Sequence, residues 1–229
     1  MEKLTKKAAS LALQEKIKSL IIKRKMKSGD LMPTENELID LFEVSRSSLR
    51  EAIKSLEALH ILDIKHGIGT FVGTPSLTPM VRGLTFHAQL HLQDNLKSII
   101  DILDIREILQ YGFAPLALEK IQENEVDELQ RLVRIIEQNA SLGHFSIQEE
   151  HQIHLLTYHS IKNDLLTQYL DAFWEIYQQV NADLPPLAIS PTELAMQYRE
   201  LVDAVEARDL ERMLRAILYY FHTIRKNLN

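Results

Sequence analysis

Cysteine is absent from the 229 residues, which excludes disulfides and thiolate metal sites. No run of about 18 apolar residues is present, which excludes a membrane-spanning helix. Glycine is scarce, with 7 residues. Neither a glycine-rich phosphate loop nor a Gly-x-Ser-x-Gly nucleophile elbow can be drawn from them, which removes the commonest phosphoryl- and acyl-transfer chemistries. The first twenty residues start basic but carry no continuous apolar stretch, so they do not read as a signal peptide. Internal repeats and low-complexity tracts are also missing. These absences point to a cytoplasmic protein.

Hydrophobic residues make up 45% and charged residues 25% of the chain, ordinary values for a folded protein with a sizeable core. The net charge of -6 argues against a polyanion binder, but its distribution does not. Residues 1–76 hold 13 Lys and Arg against 10 Asp and Glu, a net of +3, and the remainder carries -9. A mildly basic head on an acidic body fits a nucleic-acid-binding module joined to something else.

The stretch dense in β-formers and glycine is Ile61–Val72, which predicts two short strands around a turn at His66–Gly69. Gly73–Pro79, with two prolines and small polar residues, predicts a linker. Segments 95–121, 124–139, 146–161, 163–182 and 191–226 then carry apolar residues at three- and four-residue spacing. The last is expected to break near Arg208-Asp209, and Pro185-Pro186 and Pro191 punctuate the connection before it. The expected fold is mainly α, with a head at 1–73, a linker at 74–80 and an all-helical body at 81–229.

In the head, residues 8–25 predict an amphipathic helix. Thr34-Glu35-Asn36-Glu37 reads as a capping box opening a short helix with Leu38 and Leu41 inward. Val44 plugs the turn before a second helix, in which Leu49, Ala52, Ile53 and Leu56 form a buried stripe. That stripe forces Ser45, Arg46, Ser47, Ser48 and Arg50 outward at the helix start. Arginine can bridge guanine O6 and N7; serine hydroxyls and helix-start amides suit phosphate oxygens. A capped, serine-rich helix start that merely faces water is the alternative. The order of helix, helix-turn-helix, two-strand wing and proline-bearing linker favours DNA.

The motifs Gly29, Met32-Pro33-Thr34-Glu35-Asn36, Val44-Ser45-Arg46, Leu49-Arg50-Glu51-Ala52 and Gly67-Ile68-Gly69-Thr70-Phe71-Val72 make residues 12–73 resemble the GntR-family winged helix. The resemblance implies DNA contacts from Ser45, Arg46, Ser47, Arg50 and the wing at His66-Gly67. With the outward-facing neighbours, the candidate DNA-contacting set is Thr34, Asn36, Ser45, Arg46, Ser47, Ser48, Arg50, His66, Gly67 and Gly69. Asn36 stands where that family usually has arginine. Its presence removes one cationic contact and puts the family's usual operator sequence in doubt.

The body resembles the C-terminal domain of the FadR branch, a bundle of six or seven helices around a ligand cavity. Three segments carry the likeness: Asp104-Ile105-Arg106 onward, Glu150 through His154 to Asn163, and Tyr198 through Ala204 to Asp209. Many members of that branch bind a divalent metal through one Asp and three His. The matching positions here are Glu150, His154, Tyr198 and Tyr220, so two tyrosines replace imidazoles and no metal is expected. A buried Arg106 would need an anionic partner. A small organic acid held by Arg106, Glu150, His154, Tyr198 and Tyr220 is one reading. Pairing of Arg106 with Glu150 or Asp104 in a filled core is the other.

The reading as a whole is a ligand-responsive regulator, expected to be a repressor, that binds a pseudo-palindromic operator as a homodimer. Two other classes compete. A metal-dependent hydrolase could use Glu150, His151, His154 and His159, although the spacing is not His-Glu-x-x-His. A helical interaction module could keep a winged helix that no longer meets DNA.

Overall fold

The computed structural model describes residues 2–91, 96–180 and 189–228, so Pro185 and Pro186 lie outside the described residues. The chain divides into two units, Met1–Pro79 and Met80–Asn229. Among the described residues there are ten helices and one two-stranded sheet. None of these helices is long and apolar enough to cross a membrane.

The first unit contains α1 (Glu2–Lys23), α2 (Glu35–Phe42), α3 (Arg46–Ala58), β1 (Leu62–Lys65) and β2 (Gly69–Val72). α1 begins earlier than its apolar pattern required, since Lys and Ala at its start are good helix formers. Leu13 and Ile17 from α1, Leu38 from α2, the Leu49–Ala52–Ile53–Leu56 stripe of α3 and Leu62 of β1 close a core with Met32. Leu41 departs from expectation and is 50% exposed. At 100° per residue the inward arc of α2 runs through Leu38, Phe42 and Ile39, and Leu41 falls to one side of it.

The strands pair antiparallel, with Leu62 opposite Val72 and Lys65 opposite Gly69. The segment before α2 flanks the other edge of β2. Met32 donates to Thr70 O and Val72 to Asp30 O at 2.8 and 2.9 Å, and Leu31 bridges Phe71. The wing is therefore held on both sides. At its base a Cβ on Gly73 would lie 2.1 Å from His60 O, so only glycine fits there.

The second unit follows α4 (Thr78–His91) with α5 (Lys97–Lys120), α6 (Glu123–Ser141), α7 (Ile147–His159), α8 (Asp164–Val180), α9 (Pro191–Glu206) and α10 (Leu210–Leu228). α4 starts inside the stretch read as linker: Thr78 and Pro79 are its first two residues, where the missing proline N–H is no loss. The break before α10 falls at 207–209, where Arg208 takes a left-handed φ of 52°. α6 packs on α7 and α9, α10 on α5 and α9, and α8 on α5 and α7.

Most of these helices bury apolar stripes, such as Val126, Leu129, Val133, Ile136 and Ala140 on α6. Two do not. The buried face of α5 reads Ile99, Leu103, Arg106, Gln110, Ala114, Ala117, with its polar pair at the centre. The buried face of α7 contains Glu150, Ile153, His154, Thr157 and Tyr158. Since α5, α7, α9 and α10 share one core, these polar positions meet inside the bundle.

Candidate functional site

The N-termini of α2 and α3 form one exposed surface. Thr34 caps α2 as the sequence predicts: its hydroxyl accepts from Glu37 N at 3.4 Å, and its own amide donates to Glu37 Oε2 at 2.7 Å. Ser45 caps α3, accepting from Ser48 N at 3.2 Å, with its Oγ 3.0 Å from Ser47 Oγ and 2.8 Å from Ser48 Oγ. A capped start of this kind leaves backbone amides and hydroxyls facing outward in a region of positive helix dipole.

Each arginine of α3 is tied to a residue at the start of α2. Arg46 Nη2 donates to Asn36 Oδ1 at 2.8 Å. Arg50 Nε donates to both Glu35 carboxylate oxygens at 3.0 and 3.1 Å. All four side chains remain solvent-facing to some degree. His66 and Gly67 are exposed at the wing tip, Gly67 with a φ of +76° that glycine adopts without strain, and Gly69 follows at the start of β2.

The second group of candidate residues converges inside the bundle, and all five are buried: Arg106, Glu150, His154, Tyr198 and Tyr220. Gln110 Nε2 lies 3.1 Å from His154 Nδ1, His154 Nε2 lies 3.1 Å from Tyr198 Oη, and Tyr198 Oη donates to Glu150 Oε2 at 3.3 Å. With the Gln110 amide donating, His154 accepts at Nδ1 and carries its proton on Nε2. The chain of donors then runs in one direction, from Gln110 to Glu150. Gln110 was not among the residues singled out from sequence. Its place four residues after Arg106 on a buried stripe was the signal available.

Burial decides the protonation states. It holds His154 well below the usual imidazole range, and the Arg106 and His151 charges act the same way. It pushes the Glu150 carboxyl up to about 7, against hydrogen bonds from Tyr198 and the Ser146 backbone and the attraction of Arg106. Burial also raises the Tyr198 and Tyr220 phenols. The donor set at the positions matching the metal ligands is therefore a neutral imidazole engaged at both nitrogens, a carboxyl that takes up a proton near neutrality, and two phenols. Of these four positions only Glu150 and His154 carry a carboxyl or imidazole group of the kind that usually holds a divalent cation; the other two are phenols.

Arg106 stands among rings. Its Cζ lies 5.3 Å from the Trp174 ring centroid, 5.5 Å from Phe221 and 5.9 Å from Tyr220. Asp104 does not pair with it, because Arg225 takes Asp104 from α10 at 2.6 Å. Arg106 makes no salt bridge among the described residues, and its Nε has no hydrogen-bond acceptor. The neighbouring Trp174 Nε1 has none either. The space in the bundle is small: Gln110, His154, Tyr158, Tyr198 and Tyr220 line one void of about 10 Å³, and Leu103, Arg106, Phe173 and Tyr177 line another of about 10 Å³.

The other histidines part company. His151, expected at the surface, is half-buried: it stacks on Trp174 at 5.1 Å with an interplanar angle of 5°. Its position on the edge of α7 next to α8 explains the difference. His159 faces the other way, Nδ1 lying 2.7 Å from Glu125 Oε1. Glu150, His151, His154 and His159 thus do not converge on a common point.

Comparison with known proteins agrees with this architecture. Residues 9–72 match the family described as bacterial regulatory proteins, gntR family, and residues 101–223 match the FCD domain. The chain is 27% identical over 214 residues to an uncharacterized HTH-type transcriptional regulator, YcbG, of Bacillus subtilis, covering 91% of this chain and 85% of that protein. It is 22% identical over 223 residues to the HTH-type transcriptional repressor NanR of Cronobacter sakazakii, covering 96% and 85%. A solved structure described as Streptococcus agalactiae GntR shares the fold, with a TM-score of 0.61 at 22% identity over 95% of this chain and 99% of that one. The chain belongs to the gntR family of bacterial regulatory proteins and carries an FCD domain, which makes it a DNA-binding transcriptional regulator with an effector-binding domain.

Proposed function

We propose that this regulator binds a pseudo-palindromic operator as a homodimer and that a small organic acid, held inside the helical unit, changes its operator affinity. Arg46 and Arg50 read base edges, while Ser45, Ser47, Ser48 and Thr34 meet phosphate and the wing at His66, Gly67 and Gly69 follows the backbone. Asn36 belongs to the same surface. One head spans too few base pairs for useful specificity, which favours two-fold pairing. Repression is the sign favoured, by analogy with the relative named as a repressor. A cytoplasmic location goes with this role.

The observation that carries the effector class is the pair of neighbouring buried donors without acceptors, Arg106 Nε and Trp174 Nε1. An unsatisfied buried donor costs about 1–3 kcal/mol, more when charged. A carboxylate would supply both acceptors and balance the guanidinium. Glu150, His154, Tyr198 and Tyr220 would orient it by hydrogen bonds, with no metal ion. Because each of the two voids has room for about one water, an effector must displace packed side chains to enter. That displacement is a natural source of coupling to the head, and linkage requires the coupling to act in both directions.

Selection of bound sites from a random DNA pool by the full chain, at fixed physiological salt, tests the first half. A short inverted repeat is the expected product. Weak, salt-sensitive binding without a consensus would oppose it and favour an interaction module.

A further inference from the structure

The hydrogen bond between Arg46 and Asn36 assigns a role to a residue with no charge of its own. We propose that Asn36 is a specificity-determining residue that acts through Arg46, orienting its guanidinium toward one base pair of each operator half-site. The inference rests on the operator-binding reading above.

Arg46 is the first residue of α3 and Asn36 the second of α2. Arg46 Nη2 donates to Asn36 Oδ1 at 2.8 Å across the turn between the two helices. One of the five guanidinium N–H groups is used, and the others stay free to face an acceptor pair on a base edge. Arg50, one turn further along the same face, is treated differently: the Glu35 carboxylate takes its Nε with both oxygens. A carboxylate orients an arginine and offsets its charge. An amide oxygen orients it and leaves the charge whole. The start of α2 therefore holds two arginines, and Arg46 is the one that keeps its full attraction for DNA. A long side chain already held in place loses less rotamer freedom on binding. Both partners are exposed, so the bond does not serve the core.

The test is a double-mutant cycle on the operator selected by the full chain, at constant salt, with every single base-pair variant of one half-site as competitor. Arg46→Ala is expected to lose roughly 10- to 100-fold in affinity and to become indifferent at one base pair. Asn36→Ala is expected to lose on the order of tenfold, with reduced discrimination at that same base pair. In the Arg46→Ala background, Asn36→Ala is expected to change nothing further. Asn36→Asp keeps the acceptor, so discrimination at that pair should return while affinity drops alike for all sequences. Thermal unfolding midpoints of the variants should match the parent. The proposal is overturned if Asn36→Ala costs the same in both backgrounds, or if its loss falls at a different base pair, since Asn36 would then touch DNA itself. A parent chain that selects no operator refutes the underlying reading, and is seen before any variant is made.

Discussion

Arg225 on α10 pairs with Asp104 on α5, Nη2 to Oδ1 at 2.6 Å, and the same guanidinium takes Glu107. Two carboxylates flanking Arg106 in sequence are thereby committed to another cation. Arg106 itself turns inward among Trp174, Tyr220 and Phe221 and makes no salt bridge among the described residues. Ring faces, a hydrogen bond with the Tyr220 phenol and the attraction of Glu150 offset its desolvation without an ion pair, which is a poor exchange for water.

Arg106→Met follows from that imbalance. Methionine has similar length and no charge to desolvate, so the variant is expected to be about 1 kcal/mol more stable than the parent in the absence of effector. Urea unfolding at pH 7 checks this. A loss of several kcal/mol would mean that Arg106 has a satisfying partner after all.

The Glu150 pKa is shifted upward, whereas the other shifted carboxyls among the described residues are held down. Its folded value is about 7, above the ordinary 4.5, so the folded state holds the proton more tightly than the unfolded one. The stability this contributes is full below about pH 4.5 and is lost as pH rises through 7. Glu150→Gln, which mimics the protonated form, is expected to exceed the parent by roughly 3 kcal/mol at pH 8 and to match it at about pH 4. Unfolding free energies measured at both values would expose a wrong sign.

How much of this was legible in the sequence varies with the physics. The cap at Thr34, the stripe from Leu49 to Leu56 and the strand pair at 62–72 are local patterns, and they stand where the spacing put them. The helix spanning 78–91 was not among the segments read from spacing, because its proline and polar start resembled a linker. Glu150, His154, Tyr198 and Tyr220, taken from the resemblance, are buried together, and Arg106, added for its charge, lies against the Tyr220 ring. Gln110 and Trp174 were another matter: a polar residue or ring on a buried stripe gives no sign of which partner lies across the bundle. The pairing of Arg225 with Asp104 spans 121 residues and could not be read from one sequence.

Glu125 provides the contrasting titration. Burial alone would raise it, but hydrogen bonds from Ser160, the Gln122 amide and His159 outweigh burial and hold it below the ordinary 4.5. Its contribution is present above that value and is lost as the pH falls through the depressed one. Glu125→Gln removes the charge and one of the two oxygen acceptors through which the start of α6 holds His159 and Ser160 at the end of α7. A loss of about 1–3 kcal/mol at pH 7 is expected, shrinking in acid. An equal loss at pH 7 and pH 3 would contradict this account.

The most direct test of the central claim is operator affinity, measured for the parent and for Arg106→Met, with and without each member of a panel of small carboxylates at fixed salt. The account predicts that at least one carboxylate shifts the parent's affinity by about tenfold or more, a coupling in the usual range for linked sites, and leaves Arg106→Met unmoved. Equal shifts in the two proteins, or a response only to uncharged ligands, would contradict it.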